Sequence, residues 1–249
     1  MKKIIYLTSV LSMLLFTSCD FLDSGDSGES YADSVAYATT HVIDNIYDAT
    51  IDEYYFSVDA GPSILLLDED LSIGYTFTEG ERVVIYYTLT EDYTTASGKL
   101  LEGAAYNCNY GMKLFGVEGV LISESVTVRT EEEYNALPSD ELSYISESVG
   151  YSNGYINLIA SFTADDINDV KLYLVEDLTM SSEDQEVGYL YFELKFDRGI
   201  DTSGSKTYEK YISLSTADFD YLLNGINGIV LRATTVSGGA TESVIEFNM

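Results

Sequence analysis

The run Arg82-Val-Val-Ile-Tyr-Tyr-Thr-Leu-Thr90 leaves the backbone little choice. Every residue after the arginine is β-branched, aromatic or leucine, types that pack well on a pleated surface. Apolar residues follow one another without alternation, so the strand is expected to be covered on both faces or to belong to a barrel. The same texture recurs along the chain, with short runs of Val, Ile, Tyr, Phe and Thr punctuated by Gly, Asp, Asn and Ser. Proline occurs only at positions 62 and 138. In the first half, strands are expected over residues 36–44, 54–59, 63–67, 82–90 and 106–123. Gly111, Gly116 and Gly119 would bend the last of these. Five strands with a long bent final one fit a small closed barrel.

The second half offers strands at 155–162, 170–176, 187–197, 207–214, 229–235 and 243–247. Their spacing predicts a β-sandwich. Within them, Leu190, Phe192, Leu194 and Phe196 alternate with Tyr189, Tyr191, Glu193 and Lys195, the pattern of a half-buried antiparallel strand. Between the halves, Thr130-Glu131-Glu132-Glu133 has capping-box spacing, and Pro138 limits any helix to about two turns. Residues 216–225 predict a second short helix, opened by Thr216 and stopped by Gly225.

The amino terminus reads as an address. Lys2 and Lys3 precede a mostly apolar run over 4–16, too short to cross a bilayer core that needs about 20 residues. The run ends in Thr17-Ser18-Cys19, small residues before a cysteine, as in a bacterial lipobox. Cys19 is therefore the expected lipid attachment site, with 1–18 removed as a signal peptide. The plainer alternative is an ordinary signal peptide followed by a chance cysteine. Residues 19–34 are rich in Asp, Gly and Ser and form an acidic tether that cannot bury apolar area. An acidic stretch directly behind the lipidated cysteine resembles the surface-export signal of Bacteroidetes lipoproteins, the alternative being a periplasmic spacer. Asp33-Ser34-Val35 also matches that phylum's short O-glycosylation motif at Ser34, a pattern brief enough to arise by chance.

Domains are expected at 35–125 for the barrel and 150–249 for the sandwich, joined through 126–149. Several stretches, in order, resemble the NigD-like lipoproteins of Bacteroidetes. They are Tyr54-Tyr55-Phe56-Ser-Val-Asp59-Ala-Gly61, Gly80-Glu-Arg82-Val-Val-Ile-Tyr-Tyr87-Thr-Leu89, the long strand over 106–123, Gly154-Tyr-Ile-Asn-Leu158 and Tyr189-Leu-Tyr-Phe-Glu-Leu194. The sequence departs from the family pattern at Ala60, where a second turn aspartate is usual, and at Phe196-Asp-Arg198-Gly. The resemblance implies an N-terminal OB-type barrel followed by a C-terminal β-sandwich. It implies no established reaction. For some members it implies an association with bacteriocin operons.

Acidic residues number 42 against 12 basic, a net charge of −30. Nucleic-acid binding depends on cations that neutralise phosphates, and between positions 36 and 126 only Arg82, Lys99 and Lys113 are available. No nucleic-acid partner is expected. Asp68, Asp70, Ser72 and Glu79 fall at the first, third, fifth and twelfth positions of a calcium-type loop. The glycine is one residue late, however, and a solvated loop is the favoured reading. No metal and no cofactor are expected.

His41 is the single histidine and is expected in packing or at the surface; Cys108 is expected as a buried, inert thiol. No nucleophile–base pair can be picked from the linear sequence, so the chain is expected not to be an enzyme. With 22 tyrosines, an exposed aromatic face is conceivable from Tyr86, Tyr87, Tyr106, Tyr110, Tyr189 and Tyr191. Ordinary sheet-surface packing is the plainer account of them. The expected function is a lipid-anchored, surface-exposed outer-membrane binding module with a glycan or protein ligand. The alternative is an immunity or inhibitor lipoprotein that binds a toxin protein.

Overall fold

In the computed structural model, residues 34–43, 53–59, 63–66, 75–90, 108–176, 185–199, 206–236 and 239–246 are described. The chain is all-β, with one short α-helix among the described residues. It divides into two units at the bond after Gly119.

In the first unit, β1 (Ser34–Ile43) pairs antiparallel with β2 (Glu53–Val58) on one side and β4 (Arg82–Thr90) on the other. β2 continues to β3 (Ser63–Leu66), which runs parallel to β5 (Cys108–Gly119). β5 returns antiparallel to β4 through a register shift between Tyr86 and Tyr87. Each strand thus has two partners, in the cyclic order β1-β2-β3-β5-β4. The period-two alternation of strands turns Ala38, Phe56, Ile64, Val83, Ile85 and Met112 into one core, with Phe77 packed edge-on to Phe56 at 5.2 Å. Val84, on the opposite face of β4, is buried too, so this strand is covered on both faces as its unbroken apolar run predicts.

The second unit has two sheets. One is ordered β6 (Leu121–Ile122), β13 (Lys206–Ser215), β10 (Tyr155–Ala164), β8 (Tyr144–Ile145), with β9 (Gly150–Ser152) also on β10. The other is ordered β15 (Gly239–Glu246), β14 (Gly228–Thr235), β12 (Tyr189–Asp197), β11 (Lys171–Glu176), β7 (Glu124–Val126). The β9–β10 hairpin turns on Asn153 and Gly154, both at positive φ (51° and 79°), which is what a tight two-residue hairpin asks of its central pair. Both sheets face one core. Phe162 of β10 meets Phe196 of β12 at 5.0 Å, and Phe192 meets Phe219 at 4.8 Å.

Four local expectations are corrected. The strand expected over 106–123 is two strands in different units, because β6 leaves β5 to run parallel to β13. The second unit accordingly takes up β7 and β8, which pair with β11 and β10, instead of leaving 126–149 as a free connection. β12 is antiparallel only to β11; it runs parallel to β14. The helix expected over 216–225 is reduced to a 3₁₀ turn at Ala217–Phe219, because the Thr216 hydroxyl donates to the Gly154 carbonyl (2.9 Å) and does not cap the turn. Half of the expected capping box forms, and its return bond goes to the residue before the cap. In α1 (Glu131–Ala136), Thr130 Oγ1 accepts from Glu133 N at 3.2 Å, while the Glu133 carboxylate accepts from Arg129 N at 2.7 Å.

Candidate functional site

Because Ala38 and Thr40 of β1 point inward, their neighbour His41 points outward. Across the ladder it faces Tyr55 of β2, and the two rings stack with centroids 4.4 Å apart and planes 13° apart. Two residues on, Ser57 shares that outer face, and its Oγ lies 3.1 Å from His41 Nε2. On the other side of the imidazole, Nδ1 lies 3.0 Å from Glu79 Oε1. Glu79 comes from the segment leading into β4, and its second oxygen accepts the Val42 N–H at 2.6 Å.

The direction of these bonds follows from chemistry. The Val42 amide, and next the imidazole, hold the Glu79 carboxyl below its ordinary range. An ionised carboxylate can only accept, so His41 Nδ1 carries the proton. When the ring is neutral, Nε2 is then the acceptor and the Ser57 hydroxyl can donate to it. The imidazole is about one quarter exposed (26%) and Glu79 is 60% exposed. The result is a serine–histidine–glutamate relay, open to solvent at the glutamate end. Spacings of 16 and 38 residues hide it from any local motif.

A second polar cluster lies on the outer face of β12. Tyr134 of α1 donates to Glu193, and Lys195 Nζ sits 4.0 Å from the centre of the Tyr134 ring. Burial pushes the Glu193 carboxyl up, opposed by the charges of Lys195 and Arg232. This cluster seals α1 and the strand before it onto the sheet, together with Val128 and Val175.

Of the tyrosines expected as an aromatic face, Tyr87 and Tyr191 are buried. Tyr87 is buried in the core of the first unit. Tyr86 is half-buried and donates to Glu118 Oε1 at 2.7 Å. Tyr191 is 8% exposed, its hydroxyl accepting from Glu186 N at 2.9 Å, because the outer face of β12 is covered. Tyr189, half-buried, opens β12. Tyr110 and Cys108 lie in β5, and Tyr106 lies outside the described residues.

Cys19, Asp68, Asp70 and Ser72 also lie outside the described residues. Glu79, the remaining member of the calcium-type loop, has both oxygens engaged by His41 and Val42. Among the described residues no group of three or more His, Cys, Asp or Glu side chains is placed to hold a metal ion. Ser34 is half-buried at the start of β1, opposite Tyr87 in the ladder.

No family model matches the sequence, and no curated protein matches it. Solved structures do. A Bacteroides vulgatus protein of unknown function, DUF1344, superposes with a TM-score of 0.62 at 16% identity, over 86% of this chain and 90% of that one. A NigD-like immunity protein from Bacteroides caccae gives 0.56 at 16% identity, over 84% and 91%. A candidate lipoprotein from Bacteroides fragilis gives 0.57 at 11% identity, over 86% and 98%. The chain therefore shares an all-β fold, over most of its length, with proteins of Bacteroides, a NigD-like protein among them, which is the group its sequence resembles. Among the described residues no helix is long and apolar enough to cross a membrane.

Proposed function

We propose that the chain is an outer-membrane lipoprotein, anchored through Cys19 and displayed at the surface, whose main work is binding and not turnover. In this reading the first unit is an OB-type barrel, supported by its cyclic strand order, and the second is a β-sandwich, supported by two sheets sharing one core.

The observation that carries the binding reading is the acidic excess, 42 acids against 12 bases, with three of those bases taken up inside the fold. Arg82 is buried against Asp59, Lys195 lies over Tyr134, and Arg198 sits 3.4 Å from Asp140. With 42 acids in the chain, the surface left to partners is strongly anionic. Such a surface favours a basic protein, by attraction during encounter and by complementarity once bound. The fold shared with a NigD-like immunity protein supports the same choice and makes an immunity or inhibitor role the specific form of it.

A strain lacking the gene is expected to lose tolerance to a basic antibacterial protein while its growth on glycans is intact. Unchanged tolerance, with a glycan-array signal that disappears in Tyr86→Ala or Tyr189→Ala, would move the reading to a glycan-binding accessory. Palmitate labelling lost in Cys19→Ala, and release of the protein from intact cells by added protease, test the anchor and its outward display.

A further inference from the structure

The relay on the outer face of β1 and β2 has the order of groups that makes a hydroxyl nucleophilic: donor, base, orienting acid. We propose that Ser57 accepts acyl groups from small neutral carboxylic esters, with His41 as its general base and Glu79 as the residue that positions the imidazole. Three distances define the arrangement. Ser57 Oγ to His41 Nε2 is 3.1 Å, His41 Nδ1 to Glu79 Oε1 is 3.0 Å, and Val42 N to Glu79 Oε2 is 2.6 Å. Tyr55, stacked flat on the imidazole, holds the ring plane.

Ser57 Oγ adds to the ester carbonyl carbon as its proton passes to His41 Nε2. The tetrahedral adduct expels the alkoxide, which takes that proton and departs as alcohol, leaving the acyl group on Ser57. Water then adds by the same route, its proton passing through Nε2 back to Ser57, and the carboxylic acid leaves. Neutral esters are the fitting class because the chain's net charge of −30 repels anionic ones.

Ser57 sits within the ladder, in register with Thr39 on one side and Ser63 on the other. At a strand-to-helix elbow the residue after the nucleophile supplies an oxyanion donor; here that residue, Val58, is paired with Ala38 in the ladder. Loss of an oxyanion donor lowers rates by about 100- to 1,000-fold, so acylation is the step to read and turnover is slow. This activity is independent of the binding role and survives the failure of that reading.

The test combines intact-protein mass spectrometry with a fluorophosphonate probe and p-nitrophenyl acetate. A single adduct mapping to Ser57 is expected, absent in Ser57→Ala and formed about 100-fold more slowly in His41→Gln. No adduct at Ser57 in the wild-type protein overturns the proposal without reference to any variant. Because the chain has one histidine, ¹⁵N imidazole NMR reads His41 alone. The expected neutral tautomer is Nδ1–H, with that preference lost in Glu79→Gln while the fold is retained by circular dichroism. An Nε2–H tautomer in the wild-type protein also overturns it.

Discussion

Arg82 grips both carboxylate oxygens of Asp59 through its two terminal nitrogens, and the side chains are 1% and 6% exposed. The pair ties the turn after β2 to the first residue of β4, with the Tyr37 ring 5.7 Å from the guanidinium carbon. Two of the stretches that carry the family resemblance, 54–61 and 80–89, meet at this pair as well as in the shared core. A buried ion pair is not a strong net stabiliser, but breaking it strands a charge away from water, which costs about 3–5 kcal/mol. Arg82→Met and Asp59→Asn are each expected to lose stability of that order in urea unfolding. The double variant Arg82→Met/Asp59→Leu should recover most of it, since no charge is then left alone. Single variants that unfold at the wild-type urea midpoint would contradict this account.

Thr40 presents the opposite case, a polar atom whose removal helps. It is fully buried in β1, with its backbone satisfied by Glu81 O (2.8 Å) and by Gly80 N (2.9 Å). Among the described residues its hydroxyl has no hydrogen-bond partner. Valine has the same shape without the desolvated oxygen. Thr40→Val is expected to stabilise the protein by about 1 kcal/mol, which for a chain of this size raises the melting temperature by roughly 2–4 °C. Calorimetry reads the change directly, and a lowered melting temperature would mean that the hydroxyl is satisfied after all.

What was legible in the sequence was whatever the period of a strand controls. Leu190, Phe192, Leu194 and Phe196 face the core as their alternation requires, and Arg82–Thr90 is a strand buried on both faces at its start. What was not legible depends on what covers a strand's other face. Lys195 reads as solvent-facing, yet it is 5% exposed because Tyr134 lies over it. Tyr191 lies on the same outer face, as its place in the alternation requires, yet it is 8% exposed. The relay escaped notice because Ser57, His41 and Glu79 are brought together by ladder register and by one connecting segment, neither of which leaves a local pattern. Thr216 looked like a helix cap because its residue type is right, and only the neighbouring Gly154 carbonyl, 62 positions away, gives its hydroxyl other work.

Acid should loosen the contact of Glu79 with β1. The amide of Val42 and the imidazole of His41 lower the folded-state value of this carboxyl below its ordinary 4.5. A depressed carboxyl contributes stability that is complete above the unfolded value and is lost as pH falls through the folded one. Glu79 is well exposed, so screening by solvent keeps the effect small. Below about pH 4.5 the melting-temperature difference between wild type and Glu79→Gln is expected to shrink. A difference that widens on acidification would reverse the sign and refute the assignment.

Gly199 allows a comparison in which backbone strain and steric clash separate. It follows β12 with φ at +91°. A Cβ there would stand 2.9 Å from Asp169 Cβ and 3.3 Å from the Asp169 carbonyl oxygen. Gly225 also has positive φ, +79°, but a Cβ there would meet nothing within 4 Å. Alanine at 225 therefore carries only the left-handed backbone penalty, about 1–2 kcal/mol. Alanine at 199 carries that penalty and must also push the 3₁₀ turn Ile167–Asp169 outward, against backbone that cannot swing aside as a long side chain could. Gly199→Ala is expected to destabilise by at least 1 kcal/mol more than Gly225→Ala in parallel urea titrations, an estimate scaled to ordinary overpacking. Equal losses would show that the Asp169 turn yields freely and that strain alone fixes glycine at both positions.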